Sequence, residues 1–117
     1  MRFFLSSLFP GARRRQLRRI AHYETLLQEL QQIISDADAS VETLSDARQK
    51  ADALEQYYGS PLWKRDFADD EAGRLPKDLK RGVLSEDGIY NALEAYRDRF
   101  RDAQEERLSP AAGRSVK

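Results

Sequence analysis

The sequence predicts an all-α protein, and three observations lead to this prediction. Apolar residues recur at intervals of three and four along most of the chain, which is the period of a helix with one buried face. No stretch shows the alternating polar and apolar pattern of a strand. Four of the six glycines, two of the four prolines and the only tryptophan fall within residues 57–91, so the breaks in the helical pattern are concentrated there.

Length and composition limit the possible classes of protein. A chain of 117 residues predicts one folded domain. Because there is no cysteine, disulfides, thiol nucleophiles and cysteine–zinc sites are excluded, and a cytoplasmic location is favoured. The only histidine is His22, so a site built on several histidines is excluded as well. We divide the chain into a flexible apolar and basic extension (1–11), a single helical domain (12–108) and a disordered tail (109–117).

A long amphipathic helix is predicted from about residue 12 to residue 58. Its apolar positions follow a heptad pattern, which is typical of a coiled-coil seam: Ile20, Tyr23, Leu27, Leu30, Ile34, Ala37, Val41 and Leu44. Residues 35–40 are the only candidate break, and they contain neither glycine nor proline. We therefore expect one helix or two nearly collinear ones, about 70 Å long at 1.5 Å per residue. The rest of the chain is too short to cover such a seam, so we expect part of it to contact another molecule.

Residues 57–91 are predicted to form a compact knot of two short helical turns, called the 57–91 block below. Gly59 ends the long helix, and Ser60 with Pro61 begins a short one that stops at Gly73. Pro76 opens a further single turn, which stops at Gly82.

The last helix is predicted to begin at Ser85 and to end near residue 108. Ser85 is a suitable N-cap residue, and Ile89, Leu93, Tyr96 and Phe100 then mark one apolar face. Because the connection is compact, we expect this helix to pack antiparallel on the second half of the long helix.

The charge of the chain is balanced in total but unevenly distributed. Residues 1–23 carry six arginines and no acidic residue, so the remainder of the chain has a net charge of −6. A basic segment of this kind either folds against the acidic remainder or binds an anionic partner such as nucleic acid or membrane lipid. The arginines that form the cluster are Arg13, Arg14, Arg15, Arg18 and Arg19.

Two further groups of residues are candidates for chemistry. Residues 66–71 hold four carboxylates, which could bind a hard cation or could pair with Lys64, Arg65 and Arg74. The aromatic residues of the 57–91 block could form a binding surface or, more commonly, a small core, in which Tyr58 and Trp63 would be buried.

The 57–91 block also resembles a known family. Tyr57-Tyr58-Gly59-Ser60, then Trp63, Asp66, Glu71-Ala72-Gly73, Leu75-Pro76, Leu79 and the run from Gly82 to Asp87 are similar to a block in domain-of-unknown-function family 4298. The resemblance extends over about residues 27–100 and implies a small bacterial, all-α, cytoplasmic protein. It implies no activity, and the arginine cluster appears as an extension beyond the usual family pattern.

From these observations we expect a non-enzymatic protein–protein interaction module, either homo-oligomeric or bound to a helical partner. The candidate partner-binding residues are Tyr57, Tyr58, Trp63, Asp66, Lys80, Arg81 and Tyr90. The alternatives are an accessory protein that binds nucleic acid or anionic membrane through residues 13–19, and a carboxylate metal or ligand site at residues 66–71. We identify no catalytic residue, no metal ligand, no cofactor and no small-molecule substrate from the sequence.

Overall fold

The computed structural model describes residues 2–108, with side chains from residue 11 onward. Met1 and the predicted tail at residues 109–117 lie outside the described part. Within that part every regular element is a helix, which confirms the all-α prediction. The elements are α1 (Arg2–Ser35), α2 (Val41–Asp46), α3 (Arg48–Tyr58), α4 (Pro61–Glu71), a 3-10 helix (Gly82–Leu84) and α5 (Gly88–Leu108).

The prediction of one long helix, or two collinear ones, over residues 12–58 is wrong. The helix begins earlier, at Arg2, and ends at Ser35, after which the chain reverses direction. The ring of Tyr23 stacks on Tyr57 with centroids 4.0 Å apart, and Lys50 lies 3.5 Å from Glu29. Since residues further along α3 contact earlier residues of α1, the two helices form an antiparallel hairpin.

Short polar side chains make the turn of this hairpin, without glycine or proline. The backbone N–H of Asp38 donates to Oδ1 of Asp36 over 2.9 Å, and the N–H of Thr43 donates to Oγ of Ser40, the N-cap of α2, over 3.1 Å. These local bonds offer the backbone an alternative to the helix. Arg99 of α5 then donates to the carbonyl oxygens of the turn, at Asp36, Ala37 and Ala39.

The last helix, α5, packs on the hairpin and lies antiparallel to α2 and α3, as predicted. The hydroxyl of Tyr96 donates to the carbonyl of Leu44 over 2.6 Å. Further along α5, Arg107 lies 3.3 Å from Glu42 of α2. The hairpin and α5 therefore form a three-helix bundle, in which α2 and α3 together make up one of the three helical segments. The 57–91 block joins α3 to α5.

The bundle buries four of the eight seam positions within the chain itself, while Tyr23, Ile34 and Val41 are half-buried and Ala37 is exposed. Ile20, Leu27, Leu30 and Leu44 have exposed fractions of 0–2%. Since α3 and α5 pack on this seam, a second molecule is not needed to cover its buried positions.

The ends of α4 follow the predicted local rules. Oγ of Ser60 accepts from the N–H of Trp63, and Pro61 is the first helical residue. Gly73 has a φ of +74°, and the N–H of Arg74 donates back to the carbonyl of Asp69 over 2.9 Å, which is a glycine-terminated helix end. The predicted helical turn after Pro76 is instead a simple turn, and Gly82 begins the 3-10 helix rather than ending one.

Gly88 allows a close approach of two backbone segments. A β-carbon at this position would lie 2.4 Å from the carbonyl oxygen of Gly82 and 2.6 Å from Oγ of Ser85. No side chain fits at these distances, so the junction between the 3-10 helix and α5 requires glycine.

Ser85 forms the predicted capping hydrogen bond at this junction, because its Oγ accepts from the N–H of Gly88 over 2.9 Å, although α5 begins at Gly88 and not at Ser85. We expect Ser85→Ala to lower the free energy of unfolding by about 1 kcal/mol, the usual effect of losing an N-cap side chain. Urea unfolding followed by circular dichroism measures this. Ser45→Ala, at an exposed helical position, is the matched control, and equal stability of the two variants would contradict the capping role.

Candidate functional site: the Asp66 cluster and the surface around it

A buried carboxylate joins three helices at one end of the bundle. Asp66 of α4 is 0% exposed. Its Oδ1 accepts from Nε2 of Gln16 at 2.9 Å and from Nη2 of Arg19 at 2.6 Å. Its Oδ2 accepts from Nε of Arg19 at 3.0 Å and from the hydroxyl of Tyr57 at 2.6 Å. We call these four residues the Asp66 cluster.

The cluster satisfies the carboxylate fully. Each oxygen of Asp66 accepts two hydrogen bonds, and Arg19 binds both oxygens in a bidentate manner. The hydrogen bond to Asp66 raises the pKa of Arg19, so this guanidinium keeps its charge. Burial, together with the hydrogen bond to Asp66, raises the pKa of the Tyr57 hydroxyl, so Tyr57 is the neutral donor. The arrangement fits a structural role, since no acceptor position is left for a substrate proton.

The neighbouring carboxylates of α4 are paired separately. Asp69 accepts from Gln16 at 2.9 Å and from Arg74 at 3.0 Å, and the hydrogen bond from Gln16 is the main cause that lowers its pKa. Asp70 lies 3.1 Å from Arg81. Among residues whose side chains the structure describes, no group of three or more acidic or histidine side chains converges on a possible metal position.

A second buried carboxylate holds the 3-10 helix. Glu24 of α1 is 9% exposed, and its Oε1 accepts from the N–H of Val83 over 2.8 Å. Nε1 of Trp63 donates to the carbonyl of Val83 over 2.9 Å.

The roles of Gln16 and Glu24 were not predicted from the sequence. The available signal was their position, because both lie on the face of α1 that carries Ile20 and Leu27.

The predicted partner-binding residues divide by exposure. Tyr57, Trp63 and Asp66 are buried, Tyr58 and Arg81 are half-buried, and Lys80 and Tyr90 are exposed. The rings of Tyr58 and Trp63 meet edge to face, with centroids 4.9 Å apart, and Trp63 stacks on Phe67 at 5.0 Å. Tyr57 and Trp63 therefore belong to the core, Tyr58 and Phe67 pack against it, and Tyr90 lies outside it, so a partner on the surface of the block would contact only the more exposed residues.

The arginine cluster divides in the same way. Arg19 binds Asp66, and Arg13 lies 3.5 Å from Asp69, so part of the basic segment folds against the acidic α4. The expectation of pairing with the acidic remainder holds for these two residues. Arg14, Arg15 and Arg18 are exposed.

A model of one protein family matches the chain over residues 20–103 and is described as a domain of unknown function, DUF4298. The chain belongs to the DUF4298 family. The matched part includes Tyr57 and Asp66 of the cluster but begins just after Gln16 and Arg19. The arginine-rich start thus lies outside the part that matches DUF4298, as the resemblance implied. A search of curated proteins and a search of solved structures each found no match.

No helix in the part of the chain that the structure describes is long and apolar enough to cross a membrane.

The raised pKa of Tyr57 predicts a loss of stability at alkaline pH. In the unfolded chain Tyr57 releases its proton near its ordinary pKa of 10.0, whereas the folded state retains it to higher pH. The stabilisation that comes from the protonated Tyr57 hydroxyl is therefore fully present below about pH 10, and it is lost as the pH rises above that value. We expect Tyr57→Phe to lose less stability than the unmodified chain between about pH 9 and pH 11. Urea unfolding at a series of pH values measures this.

Tyr90→Phe is the control for this measurement, because the Tyr90 ring is 51% exposed. Its profile should follow that of the unmodified chain. Parallel profiles for all three proteins would contradict the proposed linkage.

Proposed function

We propose that this DUF4298 protein is a non-enzymatic interaction module of the bacterial cytoplasm that binds a helical protein partner through the exposed side of the 57–91 block. The observation that supports this proposal most is the position of the exposed apolar side chains. Three large hydrophobic residues are exposed in the part of the chain whose side chains are described, and two of them, Leu62 (43%) and Tyr90 (51%), belong to the block. The third is Leu108, at the end of α5.

Tyr58 links α4 to the segment that precedes α5, and α4 and α5 carry the two exposed residues. Its ring contacts Trp63, the neighbour of Leu62, and its hydroxyl donates over 3.0 Å to the carbonyl of Glu86, four residues before Tyr90. In the proposal, Tyr58, Leu62 and Tyr90 form one docking surface, with the core of the block as its rigid support. Apolar side chains on a partner helix, spaced by three and four residues, would fit such a surface.

The chemistry of the buried groups supports a non-enzymatic role. The carboxylates of Asp66 and Glu24 bind structural donors, and the exposed His22 packs edge to face on Tyr23. A general base needs a free acceptor within reach of the proton it removes. The residues that are most enclosed here therefore hold the block together, and its exposed apolar residues remain for recognition.

Site-specific photo-crosslinking in cells of the native host tests the proposal. A photoreactive phenylalanine is placed at Leu62 or at Tyr90, and at the exposed Gln32 of α1 as a control. We expect one common protein to crosslink at both block positions and not at position 32. Equal crosslinking at all three positions, or none at the block, would contradict the proposal. If the crosslinked protein is a second copy of this chain, the complex is a homodimer and the partner is not a different helical protein.

The double variant Leu62→Ser/Tyr90→Ser tests whether these two side chains are needed to bind the partner. Because both side chains are exposed, each change should alter stability by no more than about 0.5 kcal/mol. The complex identified by crosslinking should be lost on size-exclusion chromatography. Leu108→Ser, at the third exposed apolar residue, should leave the complex intact.

A further inference from the structure

The solvent-facing side of α1 carries arginines without acidic partners. Arg14, Arg15 and Arg18 are exposed, and no carboxylate among the described residues lies within ion-pair distance of them. Their spacing places Arg14 and Arg18 one above the other on a helix, with Arg15 beside them. The three charges thus form one cationic face, separate from the inward-directed Arg13 and Arg19.

A cleft between α1 and α4 continues this face. It encloses about 280 Å³ and is lined by Arg13, Arg15, Arg19 and Arg65, together with Gln16, Asp69 and Ala12. Arg13 and Arg19 are engaged by carboxylates, but Arg15 and the exposed Arg65 are not. The cleft therefore has a surplus of positive charge, and its forked guanidinium groups suit the oxygens of a phosphate.

We propose that this face of α1 docks the protein on the surface of a membrane that contains anionic phospholipid, with a lipid phosphate in the cleft. The reason to favour a bilayer over nucleic acid is the sequence at the start of the same helix. Residues 2–10 of α1 read RFFLSSLFP, which is apolar except for one arginine and two serines. An apolar segment beside exposed arginines is the composition of an interfacial anchor.

The dimensions agree with this mode of binding. Nine helical residues extend about 14 Å, which is less than half of the hydrocarbon thickness of a bilayer, so this segment is too short to cross the bilayer and can lie along its surface with its apolar side chains among the lipids. The arginines that follow would then lie at the level of the lipid head groups, where cationic side chains contribute most to binding.

Vesicle co-sedimentation of the full chain tests the proposal. The probes are vesicles of phosphatidylcholine alone and of phosphatidylcholine with phosphatidylglycerol, at low salt (about 0.05 M) and high salt (about 0.5 M). We expect binding to the anionic vesicles only, weakened at high salt. The triple variant Arg14→Glu/Arg15→Glu/Arg18→Glu should lower the partition coefficient by at least about a hundredfold, since each lost charge near the surface contributes about fivefold.

The matched control changes the same amount of charge elsewhere. Lys64→Glu/Lys77→Glu/Lys80→Glu alters three exposed lysines and should retain most of the binding. Both triple variants should keep the circular dichroism spectrum of the unmodified chain. Equal loss of vesicle binding in both variants would show that the effect depends only on net charge, and it would overturn the assignment of the docking face.

Two further arms separate the alternative ligands. Phe4→Ser/Phe9→Ser should weaken vesicle binding. Arg65→Glu should also weaken vesicle binding, because Arg65 lines the cleft that is proposed to hold the lipid phosphate. Fluorescence anisotropy with duplex DNA is run on the same proteins. Tight DNA binding that survives the phenylalanine changes, together with no vesicle binding, would overturn the membrane proposal in favour of nucleic acid. The result is independent of the crosslinking at Leu62 and Tyr90, because neither residue belongs to this face.

Discussion

Asp66→Ala is expected to lower the free energy of unfolding by about 3–5 kcal/mol, the usual cost of removing one member of a buried ion pair. The carboxylate is 0% exposed and binds side chains from α1 and α3. Its removal leaves the Arg19 guanidinium, the Gln16 amide and the Tyr57 hydroxyl without their acceptor in a largely enclosed site. A domain of this size has a total stability of about 5–15 kcal/mol, so the loss is a large share of it.

Urea unfolding measures this effect, and an exposed ion pair provides the control. Glu55→Ala removes the partner of Arg97, a pair in which both side chains are more than half exposed. We expect this control to cost less than about 1 kcal/mol. A similar cost for Asp66→Ala would show that the cluster contributes no more than a surface pair does.

A double-variant cycle tests whether the cost arises from the pair itself. Arg19→Ala alone leaves Asp66 with only its neutral donors, whereas Asp66→Ala/Arg19→Ala removes both charges. We expect the double variant to be more stable than the sum of the two single effects indicates, by roughly 1–3 kcal/mol of coupling. Additive effects would contradict a direct interaction between the two side chains.

Trp63→Ala is expected to destabilise the protein by about 3–5 kcal/mol, the range for truncating a buried aromatic side chain. The Trp63 side chain is 8% exposed and packs against Tyr58 and Phe67. Its indole N–H also donates to the carbonyl of Val83, which would lose this partner. The variant therefore loses both the centre of the block core and the bond that ties α4 to the 3-10 helix.

Trp63→Phe separates these two contributions. It keeps an aromatic ring but removes the donor, so most of the packing should remain and the hydrogen bond, worth about 1 kcal/mol, should be lost. In the unmodified chain the only tryptophan should emit at blue-shifted wavelength and resist quenching by iodide. Red-shifted, easily quenched emission with a tolerated alanine would instead place Trp63 on the surface.

Such a result would also change the functional proposal. An exposed Trp63 would join Leu62 and Tyr90 as a candidate hot spot of the docking surface, because tryptophan is among the residues that contribute most to binding energy at interfaces. With Trp63 buried, its function is to hold the surface in shape.

The local features of this protein follow from residue types at adjacent positions. The all-α class followed from the spacing of apolar residues, and the ends of α4 followed from Ser60, Pro61 and Gly73. The cap at Ser85 was predicted for the same reason. Each of these features depends on hydrogen bonds or dihedral angles within a few residues, so the residue types at adjacent positions are sufficient to predict them.

The position at which the long apolar seam turns, and the helices that pack on it, depend on contacts between distant residues. Residues 36–40 contain no glycine or proline, and the turn is completed by Arg99, which lies some sixty residues further along the chain. The same holds for Asp66, whose partners Gln16 and Arg19 are 50 and 47 residues away. The sequence left the carboxylates of α4 as either a cation site or partners of nearby basic residues, whereas the burial of Asp66 depends on donors that reach it from other elements. Contacts between distant residues depend on how the helices pack, and no local pattern encodes that arrangement.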